Sequence, residues 1–157
     1  TELVEAISPK YFNNKKKTTA LLSITSILNL LLPESQPYKK LFGSLNNLLS
    51  DLSKENWIYL YILWELTLLK ELGFDPFLEQ FILGNDDEPE KYKIIEIDNI
   101  KYQVPIFLLI KKKNINLKNK QISMALSFTR NILTNKFFFP NNLIFPKSRI
   151  MLENYFN

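Results

Sequence analysis

Ten cations and no acid lie between Asn99 and Leu152: Lys101, Lys111, Lys112, Lys113, Lys118, Lys120, Arg130, Lys136, Lys147 and Arg149. Together such side chains do one kind of chemistry, the capture of phosphate or carboxylate groups. Residues 1 to 98 carry 10 Lys against 15 Asp and Glu, so the net charge of +4 conceals a chain that is acidic first and basic afterwards. One-sided charge of this kind attracts an anionic partner, either nucleic acid or an acidic peptide. The plain alternative is a lysine-rich face that only solubilises. Within the block, Lys111, Lys112 and Lys113, with Lys118 and Lys120, form the densest cluster, and Lys136 adds a further charge. Arg130 and Arg149 are the two arginines among twenty cations. Their forked guanidinium suits bidentate contacts to carboxylate or phosphate, and for Arg149 a salt bridge to Glu153 at helical spacing is the competing reading.

The same composition excludes other chemistry. With no histidine and no cysteine, the usual zinc ligand sets, nucleophile–base pairs and disulfides are impossible. Ser8 and Lys10 offer no dyad, and Asp86, Asp87 and Glu88 lack the spaced ligands of a calcium loop and read as a solvated turn. An enzyme is not expected, nor a cofactor. No window reaches the eighteen or so uncharged apolar residues of a membrane helix, and no signal peptide precedes the first residues. A cytoplasmic protein is the expectation.

The elements that must position these cations are mostly helical. Trp57 to Phe74, WIYLYILWELTLLKELGF, is apolar on nearly every face, which marks a helix buried all round. Gly73 reads as its αL cap with Phe74 folding back onto the last turn, and Ser53 reads as its N-cap. Trp57 and Trp64 belong to this core post and are not base-stacking platforms; Glu65 is the one charge in its middle. Upstream, Lys15 to Lys17 read as a basic loop leading to Thr18 and Thr19 as N-caps of a helix through Leu31, ended by Pro33. Pro37 restarts the chain into an amphipathic helix through Leu41, Phe42, Leu45, Leu48, Leu49 and Leu52. Downstream, Lys93 to Ile97 and Ile100 to Val104 flank Asp98 and Asn99, the signature of a two-residue hairpin turn. A hairpin of two strands must lean on helices. Ile122 to Phe137 is a further helix, Phe137 to Phe139 close the core, and Pro146 opens a last helix. The predicted fold class is mainly α: a helical bundle around a buried central helix at about residues 54–72, with a small β-hairpin at about 92–104.

Four short strings occur along this order. They are Leu31, Leu32, Pro33, Glu34 with Gln36, Pro37, Tyr38, Leu41 and Phe42; Trp64, Glu65, Leu66 leading to Leu69, Glu71, Leu72, Gly73 and Phe74; Ser127, Phe128 and Asn131; and Pro146 with Arg149. In these the chain resembles the C-terminal region of the bacterial recombination mediator family RecO. The resemblance covers most of the chain from Glu2 onward. It implies an N-terminal OB-fold barrel ahead of a helical region, with Glu2 to Ala6 resembling the barrel's last strand. The expected organisation is thus residues 1–7 as the end of a missing OB-fold and 8–157 as one helical domain.

What the resemblance implies about function is a non-catalytic DNA repair and recombination mediator that binds single- and double-stranded DNA, docks the acidic tail of single-strand-binding protein, complexes with RecR and helps load recombinase. Lacking the barrel, this piece is expected to bind DNA weakly; nucleoid association in the cytoplasm follows. Members often carry a zinc ribbon after the ELGF string. Phe81 to Gly84 here is FILG, without the cysteines, so no ribbon and no zinc are expected.

Overall fold

The computed structural model describes residues 14–32, 39–81, 91–110 and 116–157. In order they form α1 (Lys15–Leu31), α2 (Lys39–Ser50), α3 (Trp57–Glu71), the strands β1 (Tyr92–Ile97) and β2 (Ile100–Pro105), α4 (Asn119–Leu133) and α5 (Lys147–Asn154). The mainly helical class with one hairpin is what the sequence predicts. Two compact units divide the chain: a central unit of residues 39–131, and a terminal unit of residues 1–38 with 132–157. The reading of Glu2 to Ala6 as a barrel strand lies outside the described residues.

In the central unit, α3 exposes only Lys70 along its whole length. Tyr61, Ile62, Trp64, Leu68 and Leu69 are fully buried, as the all-round apolar pattern requires. The helix stops through two hydrogen bonds, Gly73 N–H to the Lys70 carbonyl (3.0 Å) and Phe74 N–H to the Leu69 carbonyl (2.9 Å). That pair is the Schellman arrangement, and it needs the left-handed φ of 93° that Gly73 supplies. The helix starts later than expected. Asn56 occupies the cap position without a side-chain hydrogen bond, and Ser53 lies in the preceding turn. Packed beside α3, α2 buries Leu41, Leu45 and Leu48, followed by Leu52; their spacing of three and four makes one stripe. Phe42 falls off that stripe and stands exposed.

Glu65 is fully buried inside this unit. The Tyr61 hydroxyl donates to Glu65 Oε2 at 2.8 Å and the Thr129 hydroxyl to Oε1 at 2.6 Å. A lone carboxylate in a leucine core is therefore hydrogen-bonded from its own helix and from α4 at once, which is the condition for burying it. The hairpin turns at Asp98 and Asn99 with φ of 51° and 65°, the geometry of a type I′ turn. Ile95, Tyr102 and Val104 are buried on one face, and Tyr102 meets Phe128 of α4 edge-on at 6.0 Å. The strand pair thus leans on a helix. After Pro105 a 3-10 turn, Ile106–Leu108, buries Phe107 and brings its ring to 6.1 Å from that of Tyr59.

In the terminal unit α1 lies along α5. The Ser26 and Ser148 hydroxyls meet at 3.5 Å, and Lys16 Nζ stands 4.9 Å over the Phe156 ring, so the two helices run antiparallel. Asn14, not Thr18 or Thr19, caps α1: its Oδ1 accepts the Lys17 N–H at 3.1 Å. Lys15 to Lys17 are consequently the first helical turn and not a loop. Asparagine caps at least as well as threonine, and Thr19 is needed inside, where it is buried. Past α4 the helix widens into a π turn, Thr134–Phe138, then tightens into a 3-10 turn, Phe139–Asn141. Asn142 ends it at φ 54°. Consecutive residues of a helical stretch point to different faces, and of the three phenylalanines Phe138 alone is buried while Phe139 is 78% exposed.

Candidate functional site

Each predicted cation takes its place from the element that carries it. Lys111, Lys112 and Lys113 lie outside the described residues. Lys118 precedes α4 and Lys120 sits in its first turn, both exposed; the Gln121 side-chain carbonyl accepts the Lys118 N–H at 2.8 Å and fixes that start. Arg130 is half-buried, with Nη2 donating to Ser127 Oγ at 3.1 Å. Lys136 is half-buried in the π turn. Arg149 is fully buried, its Nη1 3.6 Å from Glu153 Oε2 and its guanidinium 5.9 Å from the Phe145 ring centre. The salt bridge predicted as the competing reading for Arg149 is the one found. Its charge is compensated inside the terminal unit. Lys118, Lys120 and Arg130 share the central unit, and Lys136 and Arg149 the terminal one.

A pattern absent from the sequence reading concerns helix starts. Lys15, Lys16 and Lys17 open α1, Lys120 lies in the first turn of α4, and Lys147 opens α5; none of these first turns contains an acid. The helix dipole places about half a positive charge at its N-terminus, so lysine there costs about 0.3–1 kcal/mol that an acid would gain. Lys39 and Lys40 open α2 in the same way, so four described helices start with the less stable sign, and each start presents lysine and dipole together to an anion. The pattern could be seen only once Asn14 was known to be the cap.

The central unit also holds an apolar groove of about 420 Å³, lined by Leu63, Leu66, Leu78, Leu108, Leu109 and Ile110 with Ser44, Thr67, Lys70, Asp75 and Pro76 at its polar edges. The Gly73 cap makes this possible by ending α3 abruptly, so that Asp75, Pro76 and Leu78 join α3 residues in one wall. Asp75 Oδ1 in turn accepts the Phe77 N–H at 2.8 Å and pins the turn. Ile110 leads directly into Lys111, Lys112 and Lys113. The sequence-level signal was the alternation of leucines with Lys70 near ELGF, but which leucines face outward depends on the packing of α2 and the 3-10 turn.

A second cavity of about 390 Å³ is lined by Glu55, Asn56, Ile58, Tyr59, Asn116, Leu117 and Ile122. Burial pushes the Tyr59 phenol above its ordinary value, since a phenolate there would lose water. The folded chain holds that proton longer than the unfolded chain. Its contribution to stability is full below about pH 10 and is lost as pH rises through the folded value. Tyr59→Phe should flatten the fall in urea midpoint between pH 9 and 11 relative to the unaltered chain; an identical fall in both would refute the assignment.

Among the described residues no group of three or more His, Cys, Asp or Glu could hold a metal ion. The chain as a whole lacks cysteine and histidine, so it has no donor set for a zinc ribbon, and the hairpin rests on its buried face instead. No described helix is long and apolar enough to cross a membrane.

The family described as "Recombination protein O C terminal" matches residues 14–134. The chain is 29% identical over 153 residues to a protein of Rickettsia canadensis named DNA repair protein RecO, a match covering 90% of this chain and 62% of the relative. It is 28% identical over 160 residues to the protein of that name in Rickettsia rickettsii, covering 90% and 63%. The protein of the same name in Wolbachia pipientis wMel is 35% identical over 75 residues, 46% of this chain and 31% of that one. The chain therefore spans a little under two thirds of the length of the Rickettsia relatives. No solved structure matches significantly.

Proposed function

We propose, since the chain belongs to the family of recombination protein O C-terminal regions, that it is the partner-docking part of a non-catalytic DNA repair and recombination mediator. Its relatives are named DNA repair proteins. Within that role the chain receives the acidic tail of single-strand-binding protein, binds DNA weakly through its lysines, meets RecR, and so helps load recombinase in the cytoplasm.

The observation that carries this reading is the central-unit groove. Its floor is leucine and isoleucine, Lys70 stands at its edge, and three consecutive lysines follow its last lining residue, Ile110. An acidic peptide with an apolar end needs both features side by side. The apolar end displaces water from the groove, and the carboxylates meet cations at the rim, which set on-rate and salt dependence. Hairpin, zinc and catalysis play no part in it.

A fluorescent peptide of that acidic tail should bind the chain with a dissociation constant of tens of micromolar, weakening as salt rises. Replacing Lys111, Lys112 and Lys113 together by Glu should weaken it about tenfold or more, three lost charge attractions at about 0.5 kcal/mol each. If anisotropy stays flat, or if the triple variant binds as well as the unaltered chain, the lysines merely solubilise and tail docking is abandoned.

A further inference from the structure

The terminal unit carries a second surface that the groove does not use. Its described residues contain Lys15, Lys16, Lys17, Lys136, Lys147 and Arg149 against one acid, Glu153, and Glu153 is ion-paired with Arg149. Counted over all its residues, 1–38 and 132–157, the unit has seven cations and four acids. The same unit leaves large aliphatic side chains in water, including Leu22 at 46%, Leu30 at 43% and Met151 at 51% exposure.

These side chains form one stripe. Ser26 touches Ser148 across the α1–α5 seam. Leu22 and Leu30 lie one turn either side of Ser26 on the same face of α1. Met151 follows Ser148 by three residues on α5, and because the helices are antiparallel it runs toward the Leu22 end. At the Leu30 end the chain enters α5 past Ile144, which is 85% exposed. One lysine lies beyond the Leu22 end of the stripe and another beside its middle. Lys15 is exposed on the Leu22 face of α1, one to two turns before Leu22, and Lys147 is exposed beside Ser148.

We propose that this α1–α5 face receives an acidic amphipathic helix of a protein partner. Exposed aliphatic residues flanking the seam of two helices match leucines repeating at i, i+3, i+4 and i+7 of a third. Aliphatic side chains offer bases no stacking surface, which nucleic acid would require of the same stripe. Lys15 beyond one end and Lys147 beside the middle select acids at the matching positions of the incoming helix, and repel a basic one.

The test uses the full chain and a labelled 18-residue helical peptide with leucines at that spacing and glutamates elsewhere. Saturable binding is expected by anisotropy, with no binding of the same peptide carrying lysine for glutamate. Leu22→Asp and Met151→Asp should each weaken it at least about tenfold, with unchanged circular-dichroism melts because both positions are half exposed. A variant-free readout is the Met151 methyl resonance, which should shift on titration. The unlabelled acidic tail peptide should leave the helix bound. The proposal fails if the peptide does not bind, if both variants bind it normally, if the Met151 methyl is unmoved, or if the tail peptide displaces it. It fails equally if oligo-dT or anionic phospholipid vesicles bind this face, by the same two variants, while the peptide does not.

Discussion

Glu65→Ala is expected to lower the unfolding free energy by about 3–5 kcal/mol. The truncation removes the acceptor for two buried hydroxyls, Tyr61 at 2.8 Å and Thr129 at 2.6 Å, and leaves a hole between α3 and α4. Thr129 keeps its contacts to the Ala125 and Leu126 carbonyls at 3.3 and 3.2 Å, so the loss comes from two hydrogen bonds to a carboxylate, about 1.5–3 kcal/mol each, and from the hole. Tyr61→Phe, which removes one donor and leaves the carboxylate in place, should cost about 1–2 kcal/mol. The informative comparison is the triple replacement Glu65→Leu, Tyr61→Phe and Thr129→Val. With the hydrogen-bonded trio replaced together by apolar groups, it should recover most of the loss. Urea denaturation of the four proteins measures all of this, and an unaltered midpoint for Glu65→Ala would mean that the network carries no stability.

The second large effect has two signs. Exchanging Lys15, Lys120 and Lys147 for Glu places an acid in the first turn of three helices that now open with lysine. Stability should rise by about 1–3 kcal/mol in total, because each exchange turns an unfavourable dipole contact into a favourable one. Single-stranded DNA binding should move the other way. Three fewer cations lower the slope of log affinity against log salt by about 2, and affinity at low salt by roughly a hundredfold. Thermal melts and oligo-dT titrations at several salt concentrations report the two halves separately. A protein both more stable and equally good at binding DNA would show that these lysines face no anion.

Much of the scaffold was legible because its signals are local. The ELGF stop could be read from Gly73 and Phe74 because a left-handed cap depends on residues a few positions apart, and the hairpin turn from Asp98 and Asn99 for the same reason. Caps shifted at both helix starts: Asn14, just before the lysines, caps α1 with its side chain in place of Thr18 and Thr19, while α3 starts after Asn56 with no side-chain cap at all, leaving Ser53 in the preceding turn. The role of Glu65 was not legible. Thr129, which holds it from α4, lies 64 residues away, and no spacing rule connects two helices. The fate of Arg149 could be read, since Glu153 one turn on announced the pair. The groove could not be, because its walls come from α3, the turn after Gly73 and the segment after β2, brought together only by packing. Phe137 to Phe139 could not all close the core, because consecutive helical residues point to different faces, and only Phe138 turned inward.

The seam between α1 and α5 joins residues 122 apart in the chain. During synthesis at about 5–20 residues per second, α1 leaves the ribosome roughly 6–24 seconds before its partner exists. Everything needed to close the central unit, residues 39–131, is made in that interval. Ala20, Leu21, Ile24 and Ile27, all buried in the finished protein, have meanwhile no α5 to cover them. For these elements the order of assembly is thus the reverse of the order of translation: α1, made before the central unit, settles after it, and a nascent chain stalled before Lys147 holds a finished central unit while the apolar face of α1 still waits for its partner.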